Sequence, residues 1–310
     1  MTDEMFDLAI IGAGPAGFTA GIYAGRSGLK TVILDRQMAG GQVVISPSIE
    51  NWPGEKDISG PDLTMKFREH AENYAQIREF SEVESVSKDK VFHIGTPEGE
   101  TRAKALILAT GAEHRKLGVP GEEELSGRGV SYCATCDGFF FKGKDVVVVG
   151  GGSTALLYAI YLNNIQCRVK LVHRRDEFRG EKALQDQVRS LDIELIMDTV
   201  VEEFVGGDQL EKVRLRNVKT GETEEVPIDG TFVAIGEIPR NEIPRSLGVK
   251  LDEEGYVEVD RRMKTSVPGV FAAGDVTGGL KQIVAAAAEG AIAATSAFED
   301  LMEPYWIESG

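Results

Sequence analysis

Cysteine is scarce in this chain, with three in 310 residues. An odd and small number does not build the disulfide framework of a secreted scaffold, and two of the three stand together as Cys133-Ala134-Thr135-Cys136. Long apolar runs are absent too. The most apolar stretch, residues 283–298, is rich in alanine and broken by Glu289, short of the roughly 20 residues that span a bilayer. No membrane association is expected. Basic charge is in deficit: 34 Lys and Arg against 50 Asp and Glu leave a formal net charge of −16. So acidic a surface repels a phosphate backbone, and no nucleic-acid partner is expected. The segment Met1 to Asp7 carries acids where a signal peptide carries a basic region, so a cytoplasmic location is expected. Beyond the paired cysteines, zinc would need two further ligands, and Cys167, His70, His93, His114 and His173 form no second close pair. No metal site is expected.

Glycine is plentiful, 36 residues, and gathered in discrete turns. Phe6 to Ile11 reads as a short buried strand, Gly12-Ala13-Gly14-Pro15-Ala16-Gly17 follows it, and a helical stretch runs from Phe18 to Ser27. A second strand, Thr31 to Leu34, ends in Asp35. This is the full context of a dinucleotide-binding turn. The first glycine permits the tight turn, the second lets the backbone approach a pyrophosphate, and the third lets helix and strand pack closely. The acid at the strand end accepts hydrogen bonds from a ribose, and the helix start binds the anion.

The pattern returns 138 residues later, from Gly12 to Gly150. Lys144 to Val149 is again a strand, Gly150-Gly151-Gly152-Ser153-Thr154-Ala155 again a turn, and Arg168 to Val172 a second strand. His173 stands where Asp35 stood, followed by Arg174, Arg175 and Arg179. A carboxylate there suits a free 2′-hydroxyl and arginines suit a 2′-phosphate. Two dinucleotides are expected: FAD in the first unit and NADPH in the second. A chain of this length divides readily into two domains. The turn residues around Leu117 to Gly121 and Pro239 to Pro244 read as linkers, and the tail is too short to fold alone. The expected architecture is α/β, with two Rossmann-like, three-layer ββα-type dinucleotide-binding domains, the second inserted in the first. Residues 1–117 and 246–310 would form the FAD-binding domain, and residues 118–245 the NADPH-binding domain with the cysteine pair.

Cysteines two residues apart can close a small disulfide or act as a dithiol, one thiolate attacking and the other resolving. A plainly structural pair would leave Asp137 without a purpose. A carboxylate beside Cys136 raises a thiol's pKa, so Asp137 serves better as a proton donor or acceptor. Cys167 reads as a small buried hydrophobe. Two dinucleotide sites and a dithiol together suggest an electron chain from nicotinamide through flavin to a disulfide.

With these residues in hand, the chain resembles the low-molecular-weight thioredoxin reductases over essentially its whole length. The matching segments are the Gly12 turn, Gly40-Gly41-Gln42, Glu50-Asn51-Trp52-Pro53-Gly54, Ala109-Thr110-Gly111, Cys133 to Asp137, His173-Arg174-Arg175 with Phe178 and Arg179, and Gly274-Asp275 followed by Gln282. The resemblance implies a homodimer that reduces thioredoxin or a similar small dithiol protein. It implies Cys136 as the thiol nearer the flavin, Cys133 as the one that exchanges with thioredoxin, and Asp137 as the acid-base residue. In similar enzymes the inserted domain is thought to rotate so that nicotinamide and dithiol meet the same flavin face in turn. Combined with the glycine turns, it gives a flavin set of Gly12, Gly14, Pro15, Ala16, Gly17, Asp35, Arg36, Gly40, Gly41, Gln42, Asn51, Thr110, Gly111, Gly274, Asp275, Lys281, Gln282 and Ile283. The NADPH set is Gly152, Ser153, Thr154, His173, Arg174, Arg175 and Arg179. One departure stands out: Leu157 and Tyr158 lie where the family usually carries acids. A donor other than NADPH, such as ferredoxin or a deazaflavin, is the alternative this raises. A non-enzymatic flavin and dithiol redox sensor is a second.

Overall fold

The protein is described by a computed structural model over residues 4–46 and 49–303. It divides into two compact units, residues 1–113 with 238–310, and residues 114–237. These boundaries precede the expected ones at 117 and 245, and side-chain packing explains the difference. Leu117 and Val119 pack into the core of the second unit, while Ile243 and Leu247 pack into that of the first.

The first unit is built on a parallel sheet in the order Gln76–Arg78, Thr31–Leu34, Met5–Ile11, Gly99–Leu108, with Val270–Ala272 on the far side of the last. The long strand Gly99–Leu108 changes neighbour partway. Its first half pairs antiparallel with Phe92–Thr96, which pairs in turn with Ser85–Lys88, and its second half takes Val270–Ala272 in parallel. Alternate residues of Met5–Ile11 face opposite ways. Leu8 and Ile10 meet Phe18, Ala20 and Ala24 of the helix Pro15–Arg26 and Ala293, Ala294 and Ala297 of the helix Ile283–Met302. Ala9 and Ile11 meet Val86, Phe92 and Ile94 of the antiparallel strands. Helices, parallel sheet and antiparallel strands are therefore the three layers. Cover on both faces is why these strands read as unbroken apolar runs. The helix Pro15–Arg26 starts three residues earlier than the sequence suggested, because proline is well suited to a first helical turn.

The second unit repeats the plan. Its parallel sheet runs Ile193–Ile196, Arg168–Val172, Asp145–Val149, Gly230–Val233, Val130–Ser131. Val146, Val148, Val169 and Leu171 face the helix Ser153–Asn164, whereas Val147, Val149 and Val172 face an antiparallel layer of Thr199–Gly206, Leu210–Asn217 and Thr223–Pro227. No helix among the described residues is long and apolar enough to cross a membrane.

Candidate functional site

In the first unit the three glycines of the opening turn have separate physical jobs. Gly12 has φ +107°, and a Cβ there would lie 2.1 Å from the Ala109 carbonyl oxygen. At Gly17 a Cβ would lie 1.9 Å from the carbonyl oxygen of Gly12. At Gly14 nothing lies within 4 Å. Two glycines are thus demanded by the fold and one faces open space, the arrangement a closely approaching pyrophosphate needs. Pro15 and Ala16 open the helix Pro15–Arg26, and Ala16 lies close against the helix Ile283–Met302, where a Cβ on Gly290 would come 2.2 Å from its carbonyl oxygen. Asp35 sits at the end of Thr31–Leu34 and accepts the amides of Ala13, at 2.7 Å, and Gln37, at 2.9 Å. Each of its oxygens keeps a lone pair for a ribose hydroxyl.

The other flavin candidates come from several segments of this unit. Arg36 pairs with Glu113 at 2.7 Å. Gly40 donates its amide to the Ala13 carbonyl, 2.8 Å, and Gly40 and Gly41 both take positive φ. Gln42 donates to the Ala112 carbonyl, and Asn51 donates to the Gln282 side chain at 3.0 Å. Thr110 Oγ1 donates to the Arg240 carbonyl at 2.7 Å, next to Gly111 at φ +74°. Gly274 precedes the short turn Asp275–Thr277, and Lys281 donates to the Tyr256 hydroxyl at 2.8 Å. Gln282 stands just before the helix Ile283–Met302. Sequence reasoning missed Glu289, whose carboxylate receives the Gly274 amide at 2.7 Å and lies 3.2 Å from Thr277 Oγ1. Only its place in the second turn of the alanine-rich helix could have signalled it.

In the second unit Cys133 and Cys136 form a disulfide with a Cα–Cα separation of 5.3 Å, across the first turn of the short helix Ala134–Asp137. Beside it lies Asp137. One of its oxygens accepts the Ser131 hydroxyl at 2.6 Å, and the other is buried with no hydrogen-bond partner. Burial pushes the Asp137 carboxyl above its ordinary value of 3.8, and the bond from Ser131 opposes that only in part. Ser131, unnoticed in the sequence, also receives the Cys133 amide at 3.1 Å, so one hydroxyl ties the carboxyl to the disulfide's backbone. On the other side the Tyr132 hydroxyl donates to the buried Glu122 at 3.0 Å. Burial first, and the Glu122 charge next, hold that phenol well above the usual tyrosine range. Cys167 is buried, and its thiol donates to the Phe141 carbonyl at 3.1 Å. No group of three potential metal ligands occurs among the described residues.

A proton on Asp137 is favoured by the folded chain more than by the unfolded one. Between the ordinary carboxylate pKa and the raised folded value the native state binds more protons, so its stability falls as pH rises through that window. Asp137→Asn, which keeps the shape and the Ser131 contact, is expected to melt higher than the parent once pH exceeds about 4. Turnover with a disulfide substrate should fall by roughly 10²-fold if the proton is used in the reaction. Thermal melts across pH, with steady-state rates alongside, check both. A variant that is less stable at pH 8 and fully active would contradict this assignment.

The second glycine turn mirrors the first. Gly150 has φ +152° and its Cβ would lie 2.3 Å from the Ala234 carbonyl oxygen, while Gly152 has nothing within 4 Å. Ser153 and Thr154 begin the helix Ser153–Asn164, and Ser153 Oγ accepts the Glu181 amide at 3.1 Å. Arg174, Arg175 and Arg179 are all exposed, and none has an ion-pair partner among the described residues. In a chain of net charge −16 that is a conspicuous reserve of cationic groups. His173 is placed differently. It is 7% exposed, its ring fills the space a Gly151 side chain would take, and Nε2 lies 3.1 Å from the Glu177 carbonyl. Burial, and then the charges of Arg175, Arg174 and Arg179, pull it below the ordinary histidine value against that hydrogen bond. It supports the turn from beneath. Leu157 is half exposed on the same helix, and the Tyr158 hydroxyl donates to the Tyr132 carbonyl at 3.3 Å.

Residues 6–290 match the family model described as pyridine nucleotide-disulphide oxidoreductase. A thioredoxin reductase of Listeria innocua serovar 6a is 44% identical over 299 residues, which cover 95% of this chain and 93% of the relative. That of Bacillus subtilis (strain 168) is 43% identical over 300 residues, covering 95% and 94%. The crystal structure of thioredoxin reductase from Streptococcus pyogenes MGAS5005 matches with a TM-score of 0.91 at 41% identity, over 98% of this chain and 100% of that one. Doubled glycine turns, a disulfide beside a buried carboxyl and likeness along nearly the whole length converge: the chain belongs to the pyridine nucleotide-disulphide oxidoreductases, and within them to the thioredoxin reductases.

Proposed function

We propose that the protein carries electrons from NADPH through FAD to the Cys133–Cys136 disulfide and from there to thioredoxin or a similar small dithiol protein, acting as a homodimer in the cytoplasm. The observation that carries this reading is the disulfide flanked by the Asp137 carboxyl, one of whose oxygens is buried without a hydrogen-bond partner, in a unit with its own dinucleotide turn.

FAD would be held by the Gly12 to Gly17 turn, with Asp35 on the ribose and Arg36, Gly40, Gly41, Gln42, Asn51, Thr110, Gly111, Gly274, Asp275, Lys281, Gln282 and Ile283 around the remainder. NADPH would be held by Gly152, Ser153 and Thr154, with Arg174, Arg175 and Arg179 on the 2′-phosphate and His173 beneath the turn. When bound, the flavin supplies a two-electron relay between a hydride donor and a disulfide. The chain's part is then thiol chemistry. Breaking the sulfur–sulfur bond takes up two electrons, and a sulfur that departs as a thiol takes up a proton, which Asp137 is suited to hold. Cys133, as thiolate, attacks the disulfide of thioredoxin to form a mixed disulfide; Cys136 displaces the second product thiol and closes the Cys133–Cys136 bond again. Two electrons enter and two leave.

Arg174→Ala or Arg175→Ala is expected to raise the KM for NADPH by roughly tenfold or more while leaving that for NADH nearly unchanged, since each charge-assisted phosphate contact contributes about 1.5–3 kcal/mol. Equal effects on both nucleotides would refute the 2′-phosphate role. The acids missing at Leu157 and Tyr158 favour a second reading, with ferredoxin or a deazaflavin as the physiological donor. Anaerobic bleaching of the flavin by NADPH, NADH and reduced ferredoxin ranks the donors; bleaching by ferredoxin alone would select that second reading.

A further inference from the structure

Four described non-glycine residues have positive φ: Phe80, Gln166, Asp198 and Met263. Phe80, at φ +53°, combines this strain with 66% exposure of a large apolar side chain. A bulky residue in the left-handed region is an outlier that persists only where its surroundings over-determine it, and such residues cluster at ligand clamps. The surroundings do over-determine this one. On one side Glu79 accepts the Ala39 amide at 2.8 Å and pairs with Arg68 at 3.0 Å. On the other, buried Ser81 donates its amide to the Asp35 carbonyl at 2.7 Å and its hydroxyl to Glu98 at 3.0 Å. Phe80's own amide donates to the Gln37 carbonyl at 3.4 Å. These bonds hold the backbone on either side of Phe80, one of them to the carbonyl of Asp35, the ribose candidate, and leave the ring largely exposed.

We infer that Phe80 is the stacking platform for the adenine of the dinucleotide bound in the first unit. This rests on the reading of that unit as the FAD site. A base attached to a ribose held by Asp35 would lie near the segment that is hydrogen-bonded to Asp35, and an exposed aromatic face carried on that held backbone offers the base a stacking surface. The exposure of the ring and the positive φ behind it are both accounted for by this role.

The test uses the flavin-stripped full chain and two probes, FAD and FMN, the latter lacking adenine. Phe80→Ala should weaken FAD binding by about tenfold, as expected for loss of one base–aromatic stack, and leave FMN binding unchanged. Phe80→Tyr should restore FAD binding. Phe80→Gly should lose FAD affinity like the alanine variant while the flavin-free protein melts no lower than the parent, because glycine relieves the positive φ. A structural role would instead lower that melting temperature. Equal weakening of FAD and FMN, or FAD binding untouched by Phe80→Ala, would overturn the inference alone. A parent chain that takes up neither flavin would overturn the flavin reading and this inference with it.

Discussion

Cys136→Ser is expected to reduce thioredoxin turnover to the background of the assay, while the protein still folds, takes up flavin and has that flavin bleached by its electron donor. The disulfide with Cys133 cannot form in this variant, so electrons reach the flavin and stop. Removing a residue that acts as part of a unit costs nearly as much as removing the whole unit, so Cys133→Ser and the double variant should fall to the same level. The local fold is not at stake. Ala134 is fully buried against the helix side of the second unit, and Gly138 lies so close to Leu162 and Tyr161 that a Cβ would come within 2.9 Å of each. These contacts, rather than the sulfur bridge, hold the segment in place. Thioredoxin-dependent reduction of a chromogenic disulfide, measured with anaerobic flavin spectra, separates the two halves of the chain of transfer. Full activity in Cys136→Ser would remove the dithiol from the account.

The second large effect is a contrast between neighbouring glycines. Gly17→Ala and Gly12→Ala should each destabilise the first unit severely, by about 3 kcal/mol or more, because backbone oxygen rather than a yielding side chain occupies the place of the new methyl. Gly14→Ala should fold and melt like the parent yet lose flavin, since its methyl meets no protein atom and would stand where the proposed flavin's pyrophosphate would approach. The same division applies to Gly150 and Gly152 for the second nucleotide. Thermal melts of flavin-free protein, paired with flavin content after purification, read both outcomes. Should Gly14→Ala retain its full flavin complement, the turn at Gly12 to Gly17 would be an ordinary strand-to-helix connection.

The strand–turn–helix units were legible in the sequence because their determinants are local. Thr31–Leu34 and Arg168–Val172 fall where the apolar runs put them, and the glycines mark turns that only glycine tolerates. The Cys133–Cys136 pair declared itself through spacing alone. Other features depend on partners distant in the chain. Gly99–Leu108 exchanges an antiparallel neighbour for a parallel one that lies more than 160 residues on, and no local periodicity encodes that switch. Residues 251–269, which alternate like strands, contribute only isolated bridges such as Leu251 to Val257. Their alternation serves packing against the sheet rather than a ladder, with Leu251, Val257 and Val259 in one core. At the site, Ser131, Glu122 and Glu289 are ordinary polar residues in sequence, and only the fold reveals the amides and hydroxyls they serve. His173 aligned with Asp35 by offset, yet it turns inward, because a ring can fill the space beneath a glycine whereas the arginines after it remain in solvent.

The central claim is that reducing equivalents pass from a flavin to the Cys133–Cys136 bond within this chain. Anaerobic addition of two electrons per flavin from NADPH, followed by counting reactive thiols in the quenched protein, tests it most directly. The account predicts a yellow protein that gains two thiols on reduction beyond the buried Cys167, whereas Cys136→Ser shows its single Cys133 thiol before and after reduction and gains none. A colourless protein that takes up no flavin, or a flavoprotein whose disulfide stays closed under full reduction, would contradict it.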